Sequence, residues 1–162
     1  MKLKAEEIKK SDGILYISQT HWKWKLRVLT LEKNGIKKSP ALEALVDWSK
    51  NQKKDFNKIA KVIERVGQNH RVRDEKHVKK SKNSEHENVY EMRAHRGLAR
   101  MMFFYSEDEG TAIFVCTNKF WKTDDNQDQA FEACNKFRIA YEKQKLEEAK
   151  NEKTKTNNIR FV

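Results

Sequence analysis

Two arginines in neighbouring strand-like segments are the residues of this sequence best suited to bind phosphate. Arg93 lies in the segment of residues 89–94, and Arg100 lies in the segment of residues 98–105. A guanidinium group is planar, stays charged at every relevant pH and donates two parallel hydrogen bonds that match the oxygens of a phosphate. The sequence does not encode the register across the intervening turn, so a shared face is an open question. Each arginine taken alone is equally well explained as a solvated charge on a strand.

A second candidate segment for binding nucleic acid lies where the last predicted strand is followed by a helix. Here Lys119 and Lys122 flank Phe120 and Trp121. Lysines around aromatic rings form a combination that holds phosphates and stacks bases. The alternative is that Phe120 packs in the core while the lysines only solubilise the surface.

Residues 68–88 lack apolar periodicity and predict a long basic loop, a kind of segment that is commonly functional in compact domains. Four of its residues are candidates for binding nucleic acid alongside Lys119 and Trp121: Lys76, His77, Lys79 and Lys80. His77 and His95 could transfer protons, since histidine is the residue type most often used for that purpose, although an isolated loop histidine is more often a surface residue.

The charge of the chain indicates a polyanionic partner. Its 35 Lys and Arg exceed its 24 Asp and Glu, which leaves a formal charge of +11. Such a charge concentrates polyanions and makes their binding salt-dependent. No apolar run approaches the roughly 18 residues of a spanning helix, and no signal-peptide core follows Met1. We therefore expect a cytoplasmic protein that binds nucleic acid, with RNA favoured over DNA, rather than a membrane.

Metal, redox and nucleotide motifs are missing from the sequence. Cys116 and Cys134 form neither a CxxC motif nor a zinc knuckle, so we expect two buried free thiols. The chain also lacks an HExxH motif and a glycine-rich phosphate loop. We expect no metal and no other cofactor.

The first half of the chain predicts a strand followed by two helices. Apolar residues alternate with polar ones over residues 22–31, as in a half-buried strand. Ser39 and Pro40 predict the cap and first position of one helix, and Asp55 and Gly67 predict the start and end of a second. The short connection between the helices predicts an antiparallel helical hairpin.

The second half predicts three strands and a final helix. The strands cover residues 89–94, 98–105 and 111–118, and connections of hairpin length predict an antiparallel meander. A helix starting at Asp124 or Asp125 should reach about Ala149, before a polar tail. This order predicts an α+β fold in which helices cover one face of a small antiparallel sheet and leave the other face free.

We divide the chain into an N-terminal extension at residues 1–21, one domain at residues 22–149 and a polar tail at residues 150–162. Within the domain several short motifs follow one another in order. They are the strand at residues 28–31, the turn Asn34-Gly35, the helix start Ser39-Pro40, the strand at residues 89–93, Arg100 within residues 97–105, and Phe120-Trp121-Lys122-Thr123. Together they resemble the RelE/ParE superfamily of toxins, and in particular its HigB-like branch, over residues 22–143.

This resemblance implies a RelE-like fold and the toxin of a type II toxin-antitoxin system. Such a toxin cleaves messenger RNA in the ribosomal A site without a metal and is neutralised by a cognate antitoxin, here expected to be a small helix-turn-helix protein. The 2′-hydroxyl attacks the adjacent phosphate, so one proton is accepted, one is donated and a doubly charged transition state is stabilised. The resemblance gives Arg100 the stabilising role, with Arg93 and Lys122 in support.

The general base is left open among Lys76, His77, Lys79 and Lys80, because a cluster of cations can lower the pKa of a lysine. Two alternatives are also left open. One is a ParE-like toxin that inhibits gyrase, and the other is a non-catalytic nucleic-acid-binding module with a RelE-like fold. Toxicity on expression separates both toxins from the module.

Overall fold

The computed structural model describes residues 1–14, 18–123 and 126–160. These residues form a mixed α+β fold of seven strands and three α-helices, plus a single 3-10 turn at Lys10–Asp12. In chain order the strands and α-helices are β1 Lys2–Glu6, β2 Lys25–Lys33, β3 Ile36–Lys38, α1 Pro40–Asn51, α2 Lys53–Gln68, β4 Val78–Lys80, β5 Tyr90–Arg93, β6 Ala99–Asp108, β7 Thr111–Trp121 and α3 Gln127–Arg160.

All seven strands belong to one sheet with the order β1-β2-β7-β6-β5-β4, while β3 pairs with β2. The meander of β5, β6 and β7 is antiparallel, as predicted. In contrast, β2 pairs with β7 in parallel, so the prediction of a purely antiparallel sheet is wrong. Parallel neighbours need a long crossover, which here includes α1 and α2, and hydrophobic alternation does not encode which strand becomes the neighbour.

Both faces of the sheet are covered, which corrects the prediction that one face is free. Met101 and Phe103 of β6 point into a core shared with α1 and α2. Met102 and Phe104 point into a second core shared with α3. A strand covered on both sides has a continuous apolar run instead of alternation, and residues 99–105 are all buried.

Helix α1 begins as predicted, with the Ser39 hydroxyl accepting a hydrogen bond from the Leu42 amide at 3.3 Å and Pro40 in the first position. Helix α2 differs from the prediction at both ends. It begins two residues before Asp55, whose carboxylate binds a distant turn instead of capping the helix. It also continues through Gly67 to Gln68.

Gly67 is needed for packing and not for ending the helix. A Cβ atom at this position would lie 2.1 Å from Cε3 of Trp22, which is far inside van der Waals contact. The indole therefore packs directly on the backbone of α2. This close approach explains a glycine inside a helix, where it costs about 1 kcal/mol relative to alanine.

The two ends of the chain contribute more structure than the sequence predicts. Strand β1 pairs antiparallel with β2, from Lys2 opposite Glu32 to Glu6 opposite Val28. Helix α3 extends to Arg160, through much of the segment predicted as a polar tail. The predicted helix start at Asp124 or Asp125 lies outside the described residues. Among the described residues, no helix is both long and apolar enough to span a membrane.

Both cysteines are free and buried, as expected. Cys116 belongs to the core on the side of α1 and α2, and Cys134 belongs to the core on the side of α3. Burial raises the pKa of both thiols, to about 12 for Cys134. The thiolate is the reactive form, so neither cysteine is a nucleophile at neutral pH.

Candidate nucleic-acid interface

Arg93 and Arg100 are direct partners across β5 and β6. Directly opposed residues of an antiparallel pair project from the same face of the sheet. The two predicted phosphate ligands therefore lie side by side. On the other side of β6, Arg100 is opposite Phe120 of β7, which is buried in the core on the α3 side.

A buried carboxylate lies between the two arginines. Oε1 of Glu91 is 3.2 Å from Nε of Arg93 and 3.8 Å from Nε of Arg100, and the Glu91 side chain is 0% exposed. The amide of Gln127 in α3 also donates a hydrogen bond to Oε2 of Glu91, at 3.1 Å. A charge in such a position needs partners, and the two guanidinium groups supply them. Part of the positive charge of the arginine pair is thus balanced within the protein.

Arg100 is held firmly in place. Its Nη1 atom donates to the backbone carbonyls of Ala94, Gly97 and Ala99 at 3.3, 3.1 and 2.9 Å. The residue is 4% exposed, and burial, together with the nearby Arg93 charge, lowers the pKa of its guanidinium. Arginine nevertheless stays charged in proteins. Its Nη2 atom has no hydrogen bond to any described residue, so Nη2 is the group left for a ligand.

Arg93 is more accessible than Arg100. Its side chain is 28% exposed, and its Nη1 atom donates to the backbone carbonyl of Glu75 at 3.1 Å. Within the described part of the chain, its Nη2 atom is also without a hydrogen bond. The arginine pair therefore presents one terminal nitrogen from each residue.

Both arginines line a pocket of about 420 Å³, which we call the β5–β6 pocket. Five of its eight lining residues are Lys or Arg, and one is Glu, so the pocket is strongly basic. The lining residues are Glu75, Lys76, Arg93, Ala94, His95, Arg96, Arg100 and Lys122. The pocket thus unites the three predicted catalytic residues with one predicted nucleic-acid-binding residue.

Lys122 is exposed at the pocket, directly after β7. Its backbone amide donates to the Leu98 carbonyl at 2.8 Å, which ties the end of β7 to the turn before β6. No carboxylate among residues 1–14, 18–123 and 126–160 forms an ion pair with its ammonium group. The Lys76 ammonium likewise forms no ion pair with a carboxylate of the described residues. Lys122 and Lys76 therefore supply positive charge that the described residues do not balance.

Helix α2 positions the turn between β5 and β6. Oδ2 of Asp55 accepts hydrogen bonds from the backbone amides of Leu98 and Ala99, both at 2.7 Å. A Cβ atom on Gly97 would lie 2.9 Å from Oδ1 of Asp55, so the turn fits closely against this carboxylate. The same turn supplies the Ala94 and Gly97 carbonyls that hold Arg100.

The other predicted nucleic-acid-binding residues lie outside this pocket. Lys79 of β4 lies opposite Glu91 of β5, and it lines a different pocket, next to His86 and the start of α3. Lys80 is exposed and lies opposite Tyr90. Lys119 and Trp121 line a third pocket beside Trp48, whose ring is 6.5 Å from that of Trp121.

The predicted loop of residues 68–88 contains the short strand β4, and His77 directly precedes it. His77 contacts His95, with ring centroids 5.7 Å apart. His95 lines the β5–β6 pocket. The sequence marks it, like His77, as a residue that could transfer protons, but it is not among the predicted catalytic or nucleic-acid-binding residues, because its place beside the arginines depends on the fold.

No protein-family model, curated protein or solved structure matches this chain. Among the described residues, no group of three or more His, Cys, Asp or Glu side chains is placed to hold a metal ion. What the site can do chemically is therefore inferred from its own residues, which form a basic pocket with a histidine at its edge.

Proposed function

We propose that this chain is a RelE-like toxin of a type II toxin-antitoxin system and cleaves messenger RNA on the ribosome at the β5–β6 pocket. The observation that carries the proposal is the convergence of Lys76, Arg93, Arg100 and Lys122 on one pocket. These residues come from four separate segments of the chain. A pocket of this charge suits the phosphate of an RNA strand, and the turn with His95 places a titratable group beside it.

The order of the elements supports the proposal. Strand β2, the helices α1 and α2, the meander of β5 to β7 and the C-terminal helix α3 follow in the order that the resemblance implies, and the structure adds β1, β3 and β4 to them. In the proposed reaction the 2′-hydroxyl attacks the adjacent phosphate, and negative charge builds up on the non-bridging oxygens. The Nη2 atoms of Arg93 and Arg100, which make no hydrogen bond to a described residue, and the ammonium of Lys122 then stabilise that charge.

A second candidate function is nucleic-acid binding without cleavage. It is favoured by the Glu91 carboxylate, which pairs with both arginines, and by the three carbonyls that occupy Nη1 of Arg100. In this alternative Arg100 is a structural residue and only Arg93, Lys76 and Lys122 contact phosphate. The two candidates differ in whether the messenger is cut.

The test is induction of the chain in a bacterial host, followed by primer extension on messenger RNA bound to purified ribosomes. The proposal expects growth arrest and new 5′ ends that appear only when ribosomes are present. Arg93→Gln and Lys122→Gln should each abolish the cleavage, whereas the exposed control Arg73→Gln should not. Binding of RNA with an intact messenger would favour the second candidate, and growth arrest without cleavage would favour the gyrase-inhibiting alternative.

A further inference from the structure

His95 occupies the turn between the two strands that carry the arginines of the pocket. It is exposed and lines the β5–β6 pocket together with Arg93, Arg100 and Lys122. The hydrogen bonds of this turn to Asp55 fix the backbone around it. Histidine is the side chain that most often transfers protons in catalysis, and this one is within the pocket where the phosphate is expected.

The His95 ring contacts a second histidine that is itself held in place. The ring centroids of His77 and His95 are 5.7 Å apart, and the ring planes are inclined by 54°. The His77 amide donates to the Asp74 carbonyl at 2.9 Å, and the Arg93 amide donates to the His77 carbonyl at 2.8 Å. These bonds join the backbone of His77 to the arginine-bearing strand.

The side chain of His77 is also fixed. Its Nδ1 atom is 2.9 Å from Oδ2 of Asp74 and 2.8 Å from Nη1 of Arg65. One ring nitrogen cannot donate to the carboxylate and accept from the guanidinium at the same time. Nη1 of Arg65 is also 3.6 Å from Oδ2 of Asp74. In the arrangement that satisfies all three groups, Nδ1–H of His77 donates to the Asp74 carboxylate and Arg65 forms an ion pair with the same carboxylate.

The groups that face His95 are mostly cationic. Partial loss of hydration lowers the pKa of His95, and the charges of Arg96, Lys76 and His77 lower it further, while Asp74 acts in the opposite direction. A lowered pKa favours the neutral imidazole, which is the form that accepts a proton.

We propose that His95 is the general base of the proposed cleavage and that His77, held by Asp74, is its positioning residue. The inference rests on the proposed function. His95 takes the proton of the 2′-hydroxyl as the 2′-oxygen bonds to phosphorus. The bond from phosphorus to the 5′-oxygen breaks, and that oxygen takes a proton from an ammonium of the pocket, Lys76 or Lys122. The products are a 2′,3′-cyclic phosphate and a free 5′-hydroxyl.

The experiment measures the single-turnover cleavage rate on ribosome-bound messenger RNA between pH 5.5 and 8.5, with RNA affinity measured separately. For the unaltered protein the rate should rise with pH and level off once His95 is neutral. His95→Gln should lower the rate about 100-fold or more and remove the rise, because general base catalysis typically contributes that factor. RNA affinity should be unchanged, and the exposed control His21→Gln should behave as the unaltered protein.

The proposed surroundings of His95 can be tested by the pH at which the cleavage rate changes, because a loss of folding lowers the rate without shifting that pH. Asp74→Asn removes a charge that raises the pKa of His95, so the inflection in the rate should move to lower pH. Arg96→Gln removes a charge that lowers this pKa, so the inflection should move to higher pH. His77→Gln should lower the maximal rate without changing the RNA concentration at half-maximal rate.

The outcomes separate the inference from the proposed function. Cleavage that is unchanged in His95→Gln overturns the base assignment and leaves the toxin proposal standing. Inflections that do not move in Asp74→Asn and Arg96→Gln overturn the proposed environment of the base. A lack of cleavage by the unaltered protein at every pH overturns the proposed function and the base together.

Discussion

The buried carboxylate of Glu91 lies 3.2 Å from Nε of Arg93, one of the two arginines that line the β5–β6 pocket. The same carboxylate oxygen is 3.8 Å from Nε of Arg100. The pocket thus combines a strongly basic lining with an internal counterion that pairs with both of its arginines. This counterion orients the guanidinium groups and at the same time reduces their net charge.

Glu91→Gln should bind RNA more tightly and be less stable than the unaltered protein. The substitution removes a charge that competes with phosphate for both arginines, and it leaves the buried Arg100 without its ion pair. We expect a loss of about 1–3 kcal/mol in the free energy of unfolding, as for a buried charged hydrogen-bond partner. Urea denaturation and fluorescence anisotropy with a short RNA measure the two effects. The exposed Glu87→Gln is the control, and weaker RNA binding by Glu91→Gln would contradict this account.

Asp55→Ala should destabilise the protein and loosen the β5–β6 turn. It removes the acceptor of the Leu98 and Ala99 amides, and a buried amide left without a partner costs about 1–3 kcal/mol. Amide hydrogen exchange should show the Ala99 amide losing protection, while thermal unfolding reports the stability. Asp47→Ala is the matched control, because Asp47 is exposed and its carboxylate accepts a hydrogen bond from Asn51 of the same helix. Equal stability of the two variants would mean that the carboxylate does not position the turn.

Gly67→Ala should destabilise the fold even though alanine favours helices. The new Cβ would lie 2.1 Å from the Trp22 ring, and overpacking of this kind typically costs about 1–3 kcal/mol. A double-mutant cycle with Trp22→Ala isolates the clash. In the Trp22→Ala background, Gly67→Ala should become neutral or stabilising. A penalty of the same size in both backgrounds would rule out the indole as its cause.

The edge of the sheet should weaken on acidification. The Lys37 ammonium, 2.9 Å from Oε1 of Glu6, holds the pKa of this carboxyl below its usual value of 4.5, with a smaller contribution from Thr30. A carboxyl whose pKa is lower when folded contributes stability above its unfolded pKa and loses it as pH falls through the folded value. Thermal unfolding between pH 7 and 3 should therefore show a smaller decline below pH 4.5 for Glu6→Gln than for the unaltered protein. An identical decline would show that the pair adds no pH-dependent stability.

Much of the fold follows from local patterns. Ser39 and Pro40 predict the start of α1 because the cap depends only on residues within one turn of helix. The meander of β5, β6 and β7 is predictable because hairpins join strands that are close in sequence. Asp55 shows the limit of this reasoning. Its sequence position suggests a helix cap, whereas its partners, Leu98 and Ala99, are more than forty residues away.

The sequence by itself determined the basic charge, the α+β composition and the side-by-side strands that carry Arg93 and Arg100. Tertiary structure alone decided that β2 pairs in parallel with β7, that α3 covers the second face, and that Glu91 lies between the arginines. It also brought His95 of the turn against His77 of a distant segment. The physical reason is range, because propensities, caps and turns act between neighbouring residues. Strand order, buried ion pairs and contacts between turns depend on how the whole chain packs.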